Sequence, residues 1–193
     1  MPCAGCQKRR AERERISASL EDLKTLGASD DVFVIADGAI RKLRAAEWNL
    51  DTIKLLVFVP ESFTPVCASE IGALQFWYER FAELGCEVIV CCPDGPQKIA
   101  EWYSSEESLS AFKGRTFSSF MLPLSLGLID DGRCRRASVF VMPDGEMVRQ
   151  EHFDKVGRSF EELHRMLYAY TTDSYCAEGW KSPAGGFLTK DNG

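Results

Sequence analysis

Pro60, Thr64 and Cys67 form a Pro-x-x-x-Thr-x-x-Cys pattern at the point where an apolar run gives way to a helical one. The run Lys54-Leu55-Leu56-Val57-Phe58-Val59 is rich in branched and aromatic residues and predicts a buried strand. Pro60 to Thr64 predicts a tight loop, and a helix opens near Cys67 with Pro65 fixing its first turn. A cysteine in a first helical turn faces unpaired backbone N–H groups and the positive end of the helix dipole. That environment favours a thiolate, the nucleophilic form of sulfur.

The flanking elements follow from periodicity. Ile71, Leu74, Trp77 or Tyr78, Phe81 and Leu84 recur at intervals of three and four, which predicts a core-facing helix closed by Gly85. Cys86 to Cys92 predicts the next strand, stopped by Pro93-Asp94-Gly95-Pro96, and Pro96 suits the first residue of a further helix through Ile99, Ala100 and Trp102. Strand, helix, strand in this order is a crossover between parallel neighbours in an α/β sheet. Upstream, Val32 to Ala36 and Ala39 to Leu43 flank the Asp37-Gly38 turn as a hairpin. Downstream, Arg136 to Met142 and Glu146 to Glu151 flank Pro143-Asp144-Gly145 as a second hairpin. Phe160, Leu163, Leu167 and Tyr170 share one face of a last helix, while Ser104 to Asp131 supports only a short helix or loop.

Composition bounds the rest. A chain of 193 residues with 45% hydrophobic content supports one full core, and a formal net charge of −6 argues against general affinity for nucleic acid. No apolar run reaches the roughly 18 residues of a membrane helix. Lys8, Arg9, Arg10, Arg13 and Arg15 are interleaved with Glu12 and Glu14, with no apolar stretch behind them, so the N-terminus does not read as a secretory signal. The expected compartment is reducing and cytoplasmic. There, eight cysteines (3, 6, 67, 86, 91, 92, 134 and 176) call for redox chemistry or a metal before structural disulfides. The spacing of Cys3 and Cys6 is not repeated, and His152 and His164 are the only histidines, which weighs against zinc. No phosphate-loop or Gly-x-Gly-x-x-Gly pattern suggests a nucleotide.

The segment from Pro60 to Cys67, together with Phe63, Val66 and Glu70, resembles the active-site signature of the two-cysteine peroxiredoxins. Arg136, leading its strand, is similar to the arginine that family places against the reactive thiolate. Val156-Gly157-Arg158-Ser159 matches a second segment, and Cys176-Ala177-Glu178-Gly179-Trp180 resembles the motif around the resolving cysteine. The resemblance implies a thioredoxin-like α/β fold with a central mixed sheet flanked by helices. Residues 1–30 would be an N-terminal helical extension, 31–170 the peroxidase domain and 171–193 an extended arm.

It also implies that Cys67 attacks a peroxide, Thr64 holds a peroxide oxygen, Pro60 shields the sulfur and Arg136 stabilises the thiolate. Cys176 of a partner subunit would then resolve the sulfenic acid to a disulfide, and a thioredoxin-like dithiol would reduce it. At least a homodimer follows, with larger rings open, and no cofactor or metal is needed. Other thiols could resolve instead: Cys86, Cys91, Cys92 or an external one. Pro65, Ala68, Ser69 and Ser62 depart from the residues usual in that branch, and neither a Gly-Gly-Leu-Gly stretch nor a terminal Tyr-Phe pair is present. Those last departures imply resistance to overoxidation. Two other readings stay open: a peroxiredoxin-like holdase or redox relay with little turnover, and a dithiol oxidoreductase working through Cys3 and Cys6.

Overall fold

The structure, a computed structural model, describes residues 32–176 and 188–189. The predicted helical extension and the Cys3/Cys6 pair lie outside the described residues. In chain order the elements are β1 (Phe33–Ala36), β2 (Ala39–Lys42), β3 (Ile53–Phe58), α1 (Pro65–Glu83), β4 (Cys86–Cys92), α2 (Pro96–Ser105) and β5 (Arg115–Ser118). There follow α3 (Met121–Ser125), β6 (Ile129–Asp130), β7 (Arg133–Cys134), β8 (Ala137–Val141), β9 (Met147–Glu151), α4 (Phe160–Thr171), β10 (Ser174–Tyr175) and β11 (Leu188–Thr189).

Seven strands form one mixed sheet in the order β2-β1-β5-β4-β3-β8-β9. β3 pairs in parallel with β4 and antiparallel with β8, with Phe58 opposite both Cys91 and Ala137. Both hairpins form as their turns predict. Because successive strand residues face opposite sides, β3 feeds two cores. Leu55 and Val57 join Ile71, Leu74 and Phe81 of α1 and Phe160, Leu163 and Leu167 of α4 on one face. Leu56 and Phe58 join Ile89, Phe117, Leu122 and Val139 on the other. No helix among the described residues is long and apolar enough to cross a membrane.

Two details differ from the sequence-based expectation. The segment expected to be loop or short helix contributes β5, an interior strand between β1 and β4. Of its four residues, Arg-Thr-Phe-Ser, only Phe117 is apolar, so no hydrophobic run marks it. Its buried hydroxyls are satisfied in place: Thr116 Oγ1 lies 2.7 Å from Tyr103 Oη, and Ser118 Oγ donates to the Asp94 carbonyl at 2.7 Å. Tyr170, expected on the buried face of α4, is exposed in that helix's last turn. Past α4, β10 and β11 form a short antiparallel ladder.

Candidate active site

α1 begins with Thr64 as N-cap and Pro65 in its first turn, which places Cys67 among the backbone N–H groups that have no partner one turn back. The first bond of the helix runs from Ala68 N to Thr64 O at 3.0 Å. At its far end Gly85 takes φ +70, a left-handed cap that a side chain would strain, and the chain turns directly into β4. Thr64 does not use its side chain to cap the helix; its hydroxyl donates to Glu61 O at 3.4 Å. Pro60, half-buried, ends the extension of β3 after Val59, whose N–H donates to Cys91 O at 3.0 Å.

Cys67 is fully buried. Its Sγ accepts hydrogen bonds from both terminal nitrogens of Arg136, 3.6 Å from Nη1 and 3.5 Å from Nη2. Arg136 Nη2 also donates to the Asp154 carbonyl at 3.0 Å, and Nη1 pairs with Glu70. Glu70 lies one helical turn after Cys67, so both side chains leave the same face of α1. Its other oxygen accepts from the Arg158 backbone N–H at 2.7 Å and from Arg158 Nε at 3.0 Å. Arg158 Nη2 then donates to Phe58 O at 2.6 Å and Nη1 to Ala137 O at 2.7 Å, which fastens the network to β3 and β8.

All of these ions are buried: Glu70 is 3% exposed, Arg136 2% and Arg158 7%. Two guanidinium groups face one carboxylate, which leaves one positive charge in a medium where unpaired charge is costly. The group that faces this surplus charge is the Cys67 sulfur, contacted by both terminal nitrogens of Arg136. The geometry therefore sets beside the sulfur a planar, positively charged fork able to bind two atoms at once. Among the described residues, Arg136 Nε is a buried nitrogen with no acceptor, so the fork still has an N–H to offer.

The loop before Cys67 is held from one side by a single carboxylate. Asp94 Oδ2 accepts from Ser62 N at 2.7 Å and Ser62 Oγ at 2.6 Å, while Oδ1 meets Lys98 Nζ at 3.0 Å. Burial pushes the Asp94 carboxyl up, but the Ser62 bonds and the Lys98 ammonium outweigh it and hold the group below its ordinary value. Phe63, next in sequence, has φ +60, a left-handed conformation costing a non-glycine residue about 1 kcal/mol or more. Removing the clamp should relax that turn. Asp94→Ala is expected to destabilise the fold by about 2 kcal/mol at neutral pH and to speed alkylation of Cys67, read by peptide mass spectrometry. Because the folded-state pKa is lowered, the contribution is complete above the unfolded carboxyl's value of about 3.9 and is lost as pH falls from there through the folded value. A variant unfolding at the wild-type urea midpoint would show that the clamp carries no load.

The other thiols are a different class. Burial pushes Cys86 up to about 12, with the Lys54 charge opposing, and Cys134 up to about 12, with Arg158 opposing. Cys91 and Cys92 are raised further by burial. Cys176 is only half-buried, its sulfur 3.9 Å from the Arg165 carbonyl. Of the residues expected from sequence, the structure brings Arg136 and Cys67 together and sets Thr64 and Pro60 in the loop that leads to them. Cys176 follows β10 beside α4. Sequence reasoning matched Glu70 and Arg158 to motifs but gave them no role, and it did not single out Asp94. An acidic residue on the apolar face of α1 was the available signal.

Residues 26–150 match the AhpC/TSA family. The chain belongs to that family, the peroxiredoxins. Membership makes it an enzyme, a thiol peroxidase, and its similarity to AhpC proteins fits the two-cysteine branch. This peroxiredoxin is 29% identical over 140 residues to a thioredoxin peroxidase of Fasciola hepatica, an alignment spanning 66% of this chain and 72% of the relative. It is 29% identical over 132 residues to alkyl hydroperoxide reductase C of Mycolicibacterium smegmatis, over 66% of this chain and 68% of that one. The crystal structure of Enterococcus faecalis AhpC superposes with a TM-score of 0.68 at 27% identity, covering 72% of this chain and 86% of that one. The family match ends at residue 150, so Arg158 and Cys176 lie beyond it.

Proposed function

We propose that this peroxiredoxin reduces hydrogen peroxide and small organic hydroperoxides through a Cys67 sulfenic acid. The observation that carries the reading is the double contact of Arg136 on Cys67 Sγ, made inside a buried network with one positive charge to spare. The thiolate attacks the terminal peroxide oxygen, the O–O bond breaks and an S–O bond forms. The departing oxygen takes up a proton and leaves as water or alcohol. Sulfur is oxidised and the peroxide reduced by the same electron pair. Arg136 stabilises charge on the sulfur before the attack and on the two oxygens as their bond lengthens. The Thr64 hydroxyl, at the loop's end, is suited to hold the second oxygen.

In the resolving step Cys176 of a partner subunit condenses with the sulfenic acid, forming an intersubunit disulfide and releasing water; a thioredoxin-like dithiol then reduces that disulfide by exchange. This needs at least a homodimer in a reducing, cytoplasmic-type compartment. Cys86, Cys91, Cys92 and Cys134 are buried with their pKa values raised, which favours the half-buried Cys176. Peroxide removal should be followed with a thioredoxin system present. Cys67→Ser is expected to fall to the uncatalysed rate. Cys176→Ser should react once and stall, and should lose the covalent dimer that the wild type forms on a nonreducing gel after one equivalent of peroxide. Cys67 sulfinate should stay absent at low peroxide, as the missing Gly-Gly-Leu-Gly stretch implies. Full turnover by Cys67→Ser would end the proposal; turnover by Cys176→Ser would transfer the resolving role to another thiol.

A further inference from the structure

His152 connects the buried network to the surface. Its backbone N–H donates to the Arg136 carbonyl at 2.9 Å, and its Nε2 lies 3.0 Å from Ser138 Oγ. Ser138 is buried, and its oxygen already accepts from Arg158 Nη1 at 3.1 Å. A guanidinium only donates, so the single hydroxyl hydrogen of Ser138 is free to point at His152, where it needs the lone pair of an unprotonated Nε2. A hydrogen-bonded path thus runs from His152 through Ser138, Arg158 and Glu70 to Arg136 and the sulfur. A proton on Nε2 would make the Ser138 hydroxyl turn its hydrogen away and accept from two cations at once, and would place a new positive charge beside Arg158.

From these contacts we infer that His152 is a positioning residue: neutral, it holds the Arg158–Glu70–Arg136 chain in register on Cys67, and protonated, it loosens that chain and slows the thiol. The inference rests on reading Cys67 as the reactive sulfur. On the inner side, burial and the charges of Arg158 and Arg136 lower the pKa of His152, with Glu70 opposing, so the ring is neutral at pH 7 and titrates below its ordinary value. On the outer side the ring lines an open depression of about 430 Å³, which gives solvent protons access. The charges around that depression largely cancel. Arg135 is paired with Asp130 at 2.8 Å and Glu151 at 2.9 Å, Glu151 also meets Arg149, and Arg133 reaches towards Glu61 at 3.7 Å. Asp154 offers its carbonyl to Arg136, and the raised thiol of Cys134 is uncharged there. The inner cations therefore decide the balance.

His152→Gln tests this, because the amide oxygen accepts the Ser138 hydrogen at every pH and cannot titrate. The rate of Cys67 oxidation by hydrogen peroxide, followed by tryptophan fluorescence in stopped flow, should be compared between wild type and variant from about pH 5 to about pH 8. Alkylation of Cys67 by iodoacetamide, read by peptide mass spectrometry, should be followed over the same range. The ratio of wild-type to variant rate is expected to fall at least about threefold towards the acidic end, with both reagents. Ser138→Ala, which cuts the path, should abolish that pH-dependent fall.

A ratio that stays flat with pH for both reagents would overturn the inference, as would a Ser138→Ala protein that keeps the wild-type fall. If peroxide left Cys67 untouched at every pH, the peroxidase reading would fail, and the alkylation series would still decide the role of His152.

Discussion

Glu70→Gln should cost the fold about 3–5 kcal/mol, measured as a shift in the urea or thermal midpoint. The glutamine keeps the shape of the side chain but removes its charge and turns one acceptor oxygen into an N–H donor, so Arg136 and Arg158 would face each other in the interior with no carboxylate between them. A typical domain has a total stability of about 5–15 kcal/mol, so a loss of this size leaves a marginal protein. Peroxide reactivity should fall as well, since Arg136 loses the partner that aims it. A midpoint within about 0.5 kcal/mol of wild type would show that the two guanidinium groups are held by their backbone carbonyl contacts alone.

The second large effect separates catalysis from stability. Arg136→Met removes one positive charge and leaves Glu70 paired with Arg158, a set that is neutral without the thiolate. Its midpoint should therefore move much less than that of Glu70→Gln. Its rate of Cys67 oxidation by peroxide should drop about 10²–10³-fold, the usual loss when one oriented donor to a developing charge is removed. Arg136→Lys should recover only part of that loss, because an ammonium is a point charge without the fork that reaches Sγ with two nitrogens. Equal losses of stability in Arg136→Met and Glu70→Gln would contradict the charge accounting for the buried set.

The contrast shows what the sequence can carry. β3, α1 and β4 were legible because each has its own signal: a branched apolar run, a three-four repeat with Pro before it and Gly after it, and a second run closed by Pro-Asp-Gly-Pro. Cys67 was legible because those signals place it at a helix start. β5 was not, since three of its four residues are polar or charged and are satisfied by Tyr103, Asp94 and Glu87, which reach it through the fold.

The ion set was half legible. Arg136 stood out at the head of its strand. Glu70 meets Arg136 and Arg158 across sequence gaps of 66 and 88 residues, and no local pattern predicts that approach. The Ser62–Asp94 clamp spans 32 residues and was hidden for the same reason. Local propensity locates the cysteine at the helix start; tertiary contacts alone reveal the ions and the clamp that surround it.

The central claim is that activation, not exposure, decides which thiol meets the oxidant. It is tested most directly by adding less than one equivalent of hydrogen peroxide to the reduced protein in the presence of a sulfenic-acid trap and mapping the adduct by mass spectrometry. The account predicts that Cys67, fully buried, carries the trap's adduct and that Cys176, half-exposed, carries none. First labelling at Cys176, with Cys67 still reduced, would contradict it.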